Sequence, residues 1–477
     1  MITFLISVTI LILGYFFYGK FIEKIFGANP KRLTPAITME DGVDYVPLPW
    51  WKIFLIQFLN IAGLGPIFGA ILGAVYGPIA FLWIVFGCIF AGAVHDYFSG
   101  MLSIRNGGVS IPEIVGKYMG NGFKQFMRVF TVLLMILVGT VFIVGPAGIL
   151  ASLTPEWLSK TFWIWIVFGY YVLATLLPID KLIGRLYPIF GLALLFMALG
   201  IGISLVYNHY PIPELIPGNW HNMKANASNF PIFPFLFVTI ACGAISGFHS
   251  TQSPLMARCL KNEVLGRRIF FGAMVAEGLV ALVWAAVAMS FFGGVPELNN
   301  ALIQHNNDAA WAVKTISDTT LGKLGGLLAI LGVVAAPITS GDTAFRSARL
   351  IVADFLNFKQ TKIWSRLAVS FPLFAIGFTL TQIKFDIIWR YMAWSNQTLA
   401  TVVLWTISIY LISEKKLYWI TLIPAIFMTA VITNYILIAP EGLRLPQTIG
   451  YPIGIAAALA SGILFWWYTK KKGQEAS

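Results

Sequence analysis

Charged residues are scarce in this chain of 477 residues, at 11% against 58% for hydrophobic residues. A soluble globular protein carries roughly a quarter charged residues, so this chain has too few to cover a surface that faces water. Its mean hydropathy is +0.80. The composition excludes a soluble protein and predicts an all-α integral membrane protein whose helices contact the lipid bilayer.

Cysteines are also few, and the motifs of common enzyme classes are missing. Cys88, Cys242 and Cys259 lack the spacing of a metal site or a disulfide, and we expect them to be buried thiols. The sequence has no HExxH motif, no GxSxG motif and no cluster of cysteine and histidine. We therefore expect neither an enzyme nor a cofactor nor a metal site.

A leader peptide and a nucleic-acid-binding region are not expected either. No basic residues precede the apolar residues 2–17 and no small-residue cleavage site follows them, so they predict a retained helix. The net charge of +12 comes from short basic clusters between apolar runs. That pattern reports membrane orientation rather than binding to nucleic acid.

Apolar runs long enough to cross a membrane, about 20 residues each, recur along the whole chain. Most lysines and arginines would lie on the inner side if the N-terminus were outside, which predicts an N-terminus outside and a C-terminus inside. We identify thirteen candidate spans: 2–24, 50–75, 78–104, 123–153, 160–178, 184–207, 231–256, 267–294, 320–345, 365–383, 386–411, 417–437 and 447–469.

Two of these spans are interrupted by glycine and proline. "NIAGLGPIFG" interrupts the span 50–75, and "TIACGAISG" interrupts the span 231–256. Each interrupted span opens a group of five, and the two groups have opposite orientation, which predicts a 5+5 inverted repeat around a transport site. Breaking a helix in lipid is tolerable only where the freed backbone groups meet protein, water, substrate or ion. The alternative is that the glycines only allow close helix packing.

The broken stretches supply most candidate substrate-binding residues. The backbone should be non-helical near 62–66 and 242–248, and the two gaps should face each other. "MAWSNQTLA" adds polar residues of a later span, which either line the cavity or bond across helices. The candidates are Ala62, Gly63, Gly65, Gly243, Ser246, Gly247, His249, Trp394, Asn396 and Gln397.

Ionisable residues inside spans are costly and are functional candidates by default. His95 and Asp96 form either an inner gate or an interfacial pair, and His249 serves the site or packs as a satisfied histidine. Glu277 is either a protonatable or a hydrogen-bonded structural carboxyl. Asp342 is an ion-coupling candidate or a simple partner of Arg346.

Hydroxyl groups close to Asp342 complete the candidate ion-coupling set. Thr339, Ser340 and Thr343 lie within about a turn of one another, so two of the three can point the same way. Hydroxyls and freed carbonyls suit Na⁺, whereas Asp342, Glu277 and His249 would suit H⁺. The sequence leaves both coupling ions open.

The segments "IAGLGPIFGAILGA", "AGAVHDYFSGMLSIRNGGVSIPEI", "TIACGAISGFHS", "ITSGDTAFRSARLIVADF" and "WSNQTLA" resemble the carbon starvation A (CstA) family, in order and over nearly the whole chain. That resemblance implies a leucine-transporter-like fold in a bacterial inner membrane and transport of peptides or pyruvate, with protons favoured over Na⁺. It also implies that the hydroxyls of 320–345 lie beside the carbonyls of 62–66, and that a loop helix around 297–318 forms an outer lid.

The resulting prediction is a secondary active symporter for small carboxylate nutrients. Its expected parts are an extra helix at 1–30, a first repeat at 48–210, a second repeat at 229–412 and two further helices at 415–470. A membrane nutrient sensor of the same fold, working with a signalling partner, is the alternative. A channel is less favoured because no repeated filter motif occurs.

Overall fold

The structure is a computed structural model that describes residues 1–42, 44–176, 179–358, 360 and 362–475. Over these residues the chain consists of helices joined by turns and loops, without a β-strand. The prediction of an all-α fold is therefore confirmed. Short helical segments interleave with long ones because glycine and proline recur inside the apolar runs.

The first half of the chain contains eleven α-helices among the described residues. They are α1 Ile2–Phe16, α2 Tyr18–Phe26, α3 Pro35–Thr38, α4 Trp50–Ile61, α5 Ala70–Ala74, α6 Ile79–Leu82, α7 Ala93–Arg105, α8 Ile111–Met119, α9 Asn121–Leu153, α10 Lys160–Leu176 and α11 Ile179–Tyr207. A π-helical segment, Gly65–Gly69, leads into α5, and another, Trp83–Gly92, joins α6 to α7.

The second half continues with ten described helices. They are α12 Ile232–Thr239, α13 Gly247–Ala257, α14 Gly272–Phe291, α15 Val295–Gln304, α16 Ala309–Ala329, α17 Ala335–Phe355, α18 Ile363–Leu380, α19 Phe385–Ser413, α20 Trp419–Ile438 and α21 Gln447–Glu475. Two π-helical segments, Arg267–Phe271 and Ile330–Val334, precede α14 and α17.

Nine helical stretches in the described part of the chain are long and apolar enough to cross a membrane, or ten if the bent pair around residues 62–64 is one span. Their lipid-facing residues are the exposed large hydrophobics, such as Phe196, Phe371 and Leu464. The total of thirteen spans stays a prediction.

Both predicted interruptions are present. The first break, residues 62–64, separates α4 from the π-helical segment before α5, and the two parts are bent by 53°. The second break, residues 240–246, separates α12 from α13. Residues 65–66 are already π-helical and residues 247–248 already belong to α13, so both breaks end earlier than predicted. The first break begins at residue 62 as predicted, and the second begins at residue 240, before the predicted 242.

The two breaks lie against each other. A Cβ atom on Gly65 would collide with the side chain of Cys242, so the backbone of one break approaches the other as closely as glycine permits. Gly243 has φ +91°, in the left-handed region that favours glycine, and a Cβ there would meet Ala281 at 2.5 Å. These glycines are therefore needed for the backbone path and for close approach.

The loop helix expected around 297–318 is divided in the structure. α15 ends at Gln304 and α16 begins at Ala309, and α16 is itself interrupted at Gly322, where φ is +56°. The part of α16 before Gly322 is a short helix. The span that was predicted to begin at residue 320 follows this short helix. The Asn299 side chain of α15 donates a hydrogen bond to the Val75 carbonyl (3.2 Å), which holds α15 over the end of the first interrupted span.

Candidate functional site

Four ionisable side chains from three helices form a continuous buried cluster next to the second break. His95 Nδ1 lies 2.8 Å from Asp96 Oδ1, and Asp96 Oδ2 lies 2.8 Å from His249 Nδ1. His249 Nε2 in turn lies 3.3 Å from Glu277 Oε2. All four side chains are fully buried. We call this set the acid–histidine chain.

The position of the acid–histidine chain follows from the second break. α13 begins at Gly247, so His249 stands in the first turn of a helix that starts inside the protein. Asp96 of α7 contacts Nδ1 of His249, and Glu277 of α14 approaches the opposite ring nitrogen. The expected inner pair His95 and Asp96 is thus buried against the break.

Two polar atoms of this cluster, His95 Nε2 and Glu277 Oε1, have no hydrogen-bond partner among the described residues, whereas Glu277 Oε2 has the 3.3 Å contact with His249 Nε2. Buried polar atoms are nearly always paired, so the two unpaired atoms are suited to a proton, water or ligand. Both alternatives for Glu277, a protonatable carboxyl and a hydrogen-bonded structural carboxyl, stay predictions.

Cys242 adds a thiol to the same region. Ligand atoms of Cys242, His249 and Glu277 lie within 4.8 Å of one another, close enough for one metal ion to contact all three. Sequence spacing gave no sign of this set, because the fold brings together residues of the second break and of α14. The absence of a metal site stays a prediction.

Asn396 and Gln397 of α19 bond across helices to the two ends of the second break. Asn396 Oδ1 accepts a hydrogen bond from the Phe248 backbone N–H (2.6 Å), and its amide donates to the Ser246 hydroxyl (2.9 Å). Gln397 Nε2 donates to the Phe237 carbonyl in the last turns of α12 (3.2 Å). Two amides thus satisfy backbone groups that breaking the helix would otherwise strand.

Trp394 and the remaining glycines contact neighbouring helices. The Trp394 indole donates to the Ile432 carbonyl of α20 at 3.0 Å, on a side of α19 that packs against another helix. A Cβ on Gly63 would meet the Phe142 ring at 2.8 Å, and one on Gly247 would meet the Ala400 backbone nitrogen at 2.5 Å. Ala62 is buried at the start of the first break.

The α17 hydroxyls contact carbonyl oxygens. Ser340 Oγ donates to the Leu59 carbonyl in the last turn of α4 (3.1 Å) and also lies 3.0 Å from the Ala336 carbonyl. Thr339 and Thr343 donate to carbonyls of their own helix, those of Ala336 and Ser340. Of the three, Ser340 reaches the helix that precedes the first break.

Asp342 belongs to a separate polar cluster. Its Oδ2 accepts a hydrogen bond from the Tyr187 hydroxyl (3.2 Å) and lies 3.8 Å from Arg346 Nη2. Arg346 also donates to the Ala174 carbonyl at 2.9 Å. The structure therefore contains the ion pair that the sequence left as an alternative, and these contacts do not include the acid–histidine chain.

Two buried amides of α4 were missed by the sequence reasoning. Gln57 and Asn60 precede the first break by less than two turns, and both are fully buried. Neither amide has a hydrogen-bond partner among the described residues, on oxygen or on nitrogen. The stretch "QFLN" inside a broken span was the available signal. These amides are candidates for contact with a polar ligand.

Comparison with known proteins identifies relatives. An uncharacterized membrane protein of Haemophilus influenzae is 48% identical over 349 residues, which cover 63% of this chain and 94% of that protein. The peptide transporter CstA of Campylobacter jejuni is 25% identical over 88% of this chain and 78% of its own length. The pyruvate/proton symporter BtsT of Escherichia coli is 29% identical over 60% of this chain, which spans 48% of that symporter.

A solved structure and a family model agree with these relatives. A crystal structure of a variant of the Eremococcus coleocola manganese transporter superposes with a TM-score of 0.56 at 15% identity, over 92% of this chain and 99% of that one. At such low identity the likeness shows the fold alone. The sequence model described as carbon starvation protein CstA matches residues 1–157 and 151–325. The chain is therefore a multi-pass membrane protein that belongs to the carbon starvation protein CstA family.

Proposed function

We propose that this protein is a secondary active transporter that couples proton movement to the import of small carboxylate nutrients, such as peptides or pyruvate. The acid–histidine chain is the observation that carries the proposal, since it joins ionisable groups of three helices next to the second break. The peptide transporter and the pyruvate/proton symporter among its relatives support the substrate class and the coupling ion. Rocking of one helix bundle against the other would provide alternating access.

The coupling step uses His249, the central residue of the acid–histidine chain. His249 lies between two carboxylates, with Asp96 Oδ2 at its Nδ1 and Glu277 Oε2 at its Nε2, so a proton can pass between these three titratable groups. Asp96 and Glu277 reach His249 from different helices. A change in proton occupancy therefore alters the attraction between α13 and its neighbours α7 and α14, which links protonation to helix movement.

The substrate would bind between the two breaks. The buried amides of Gln57 and Asn60, which precede the first break by less than two turns, have no hydrogen-bond partner among the described residues. Freed backbone groups and buried amides can recognise a carboxylate and the polar atoms next to it. Ser246, Asn396 and Gln397 would then hold the second break in shape, in addition to any direct contact.

The repeat boundaries and α17 belong to this proposal. We assign residues 48–210 and 229–412 to the two inverted repeats, with the N-terminus outside and the C-terminus inside a bacterial inner membrane. Ser340 and Asp342 are a second group of coupling candidates, because Ser340 contacts α4 and Asp342 is a buried carboxyl. Thr339 and Thr343, whose hydroxyls donate to carbonyls of α17 itself, belong to the same group of candidates.

Uptake of labelled pyruvate and labelled alanyl-alanine into proteoliposomes tests the proposal. An imposed gradient, acidic outside, should accelerate uptake of at least one of the two probes. His249→Gln and Asp96→Asn should each remove that acceleration and lower gradient-driven uptake by roughly tenfold or more, as expected for loss of a charge-assisted hydrogen bond. His221→Gln, in an exposed loop, is the matched control and should behave as the wild type.

Two results would contradict the proposal. If uptake by the wild-type protein does not depend on the pH gradient, transport is not coupled to protons. Loss of uptake on treatment with a metal chelator, restored by one divalent metal, would instead assign Cys242, His249 and Glu277 to a metal ion. Absence of uptake of both probes would contradict the substrate class.

A further inference from the structure

A cavity with polar and aromatic walls lies at the end of the bundle that contains the loop between α11 and α12. Its volume is about 280 Å³, similar to a small-molecule site. Its wall is formed by the end of the first interrupted span, by α12, by α15, by the start of α19 and by the loop around Lys224. We call it the Lys224 cavity.

Lys224 brings an uncompensated positive charge to this cavity. Its ammonium nitrogen lies 5.4 Å from the centre of the Tyr76 ring and 5.3 Å from that of Phe230. The ion pairs formed by the described residues do not include it. Burial lowers the pKa of Lys224, because the charged form loses hydration. An anion bound in the cavity would offset this cost.

The other cation of the cavity already has a partner. Arg390 Nε lies 3.3 Å from Glu441 Oε2, and the Tyr435 hydroxyl bonds to the second oxygen of the same carboxylate. Glu441 is therefore occupied by Arg390 and Tyr435. The cavity consequently keeps a net positive character centred on Lys224.

The backbone around Lys224 is held in place before any ligand arrives. The Asn299 side chain accepts a hydrogen bond from the Ala225 N–H (3.0 Å) and donates to the Met223 carbonyl (3.3 Å). The same amide donates to the Val75 carbonyl, next to Tyr76. Both neighbours of Lys224 are thus fixed by one residue of α15, and preorganisation of this kind reduces the entropic cost of binding.

The inner end of the cavity reaches the transport site. Thr239, the last residue of α12 before the second break, lines it. Trp389 lines it as well, and its ring centre lies 5.8 Å from that of Phe68 in the first interrupted span. A ligand in the cavity would therefore have its anionic group near Lys224 and an apolar portion near aromatic rings, on the way to the breaks.

We propose that the Lys224 cavity is the entry site for the transported solute and that the Lys224 ammonium binds its carboxylate. The assignment rests on the proposed function, since it gives the carboxylate substrate of that transporter its first binding position. The chemical class is a small monocarboxylate, such as a 2-oxo acid or a short peptide bound through its C-terminal carboxylate.

Binding to purified protein in nanodiscs tests this assignment with matched probes. Pyruvate is compared with pyruvamide, and alanyl-alanine with alanyl-alanine amide, because each pair differs in the carboxylate. Lys224→Met keeps most of the aliphatic stem over Tyr76 and Phe230 but removes the charge. We expect it to raise Kd for the acid probe that binds by roughly tenfold to a hundredfold, the worth of a charge-assisted hydrogen bond, without raising Kd for its amide.

Two further variants separate charge from packing. Lys224→Arg should keep acid binding within about threefold of the wild type, because it keeps the positive charge that attracts the carboxylate. Lys160→Met removes an exposed lysine at the start of α10 and should leave both Kd values unchanged. In proteoliposomes, Lys224→Met should raise the KM for uptake far more than it lowers kcat.

The outcomes distinguish this inference from the proposed function. If the wild type takes up a carboxylate probe but Lys224→Met leaves KM and the acid–amide preference unchanged, the cavity assignment is wrong and the transporter proposal stands. An equal loss of acid and amide binding in Lys224→Met would also overturn the assignment, because it would reflect packing. If the wild type neither binds nor takes up any probe, the proposed function itself fails.

Discussion

The Ser340 hydroxyl of α17 donates a hydrogen bond to the Leu59 carbonyl of α4 at 3.1 Å. This contact joins α17 to the helix that precedes the first break, whereas the family resemblance implied a junction with the carbonyls of 62–66. A sodium ion prefers such oxygen atoms, whereas a proton needs a titratable group. The junction consequently offers a direct test of which ion drives transport.

Ser340→Ala should have little effect on proton-driven uptake. It removes the bond to Leu59, and membrane helix hydrogen bonds of this kind are worth about 0.6 kcal/mol on average, so a small fall in Tm is expected. Uptake is measured at fixed pH with sodium replaced by choline, and then at fixed sodium across a pH range. A sodium dependence in the wild type that disappears in Ser340→Ala would overturn the proton assignment and leave the fold intact.

Asp342→Asn should lower stability through the buried pair with Arg346. Removing one member of a buried ion pair typically costs about 3 kcal/mol or more, because the remaining charge loses its partner. Thermal unfolding in detergent measures the effect. Asp318→Asn is the matched control, since Lys314 and Asp318 form an exposed pair at the same spacing, worth about 0.5 kcal/mol or less.

Transport by Asp342→Asn separates its structural role from a coupling role. A variant that folds, takes up substrate down its gradient and fails to respond to the pH gradient would place Asp342 in the coupling mechanism. A variant with normal coupling and lower Tm would assign it to the α17 ion pair alone.

Gly65→Ala should disturb the contact between the two breaks. The added Cβ would collide with Cys242, and overpacking of this kind costs about 1–3 kcal/mol. Cys242→Gly in the same protein should recover part of the lost stability, because it removes the colliding atoms. Tm values of the two single variants and the double variant measure the coupling. Cys259→Gly combined with Gly65→Ala is the control, and an equal recovery there would contradict the contact.

The sequence predicted the breaks because glycine and proline weaken a helix at the positions where they occur. Their effect can therefore be predicted from a short stretch of sequence. Gly65 and Gly243 are visible in this way. The acid–histidine chain was visible only as separate residues, since Asp96 and His249 are 153 positions apart and no periodic pattern connects them. Lys224 lies in an irregular loop, so its approach to the transport path depends on tertiary packing alone.

The sequence also did not show in which direction the side chains of "MAWSNQTLA" point. Three residues of this helix, Trp394, Asn396 and Gln397, bond to different neighbours, so their shared polarity gives no shared role. The structure directs Trp394 to α20, whereas Asn396 and Gln397 cap the two ends of the second break. Residues next to each other in a polar motif thus divide between helix packing and the site.

Glu214 provides a pH-dependent test of how the loop before α12 is anchored. Its carboxylate accepts hydrogen bonds from the Ile2 and Thr3 backbone N–H groups, both at 2.8 Å, and so caps α1. Burial raises the pKa of Glu214, but the bonds from the Met1 amino group, Thr3 and Ile2 outweigh it and hold the pKa at about 2. The folded protein therefore favours the charged form.

A pKa lower in the folded than in the unfolded state contributes stability above the unfolded value, near 4.5, and that stability is lost as the pH falls toward 2. Glu214→Gln should consequently lower Tm at pH 7, and its difference from the wild type should shrink below about pH 4.5. Glu156→Gln, an exposed loop carboxylate between α9 and α10, is the control. A difference that stays constant from pH 7 to pH 3.5 would show that the cap does not depend on the charge of Glu214.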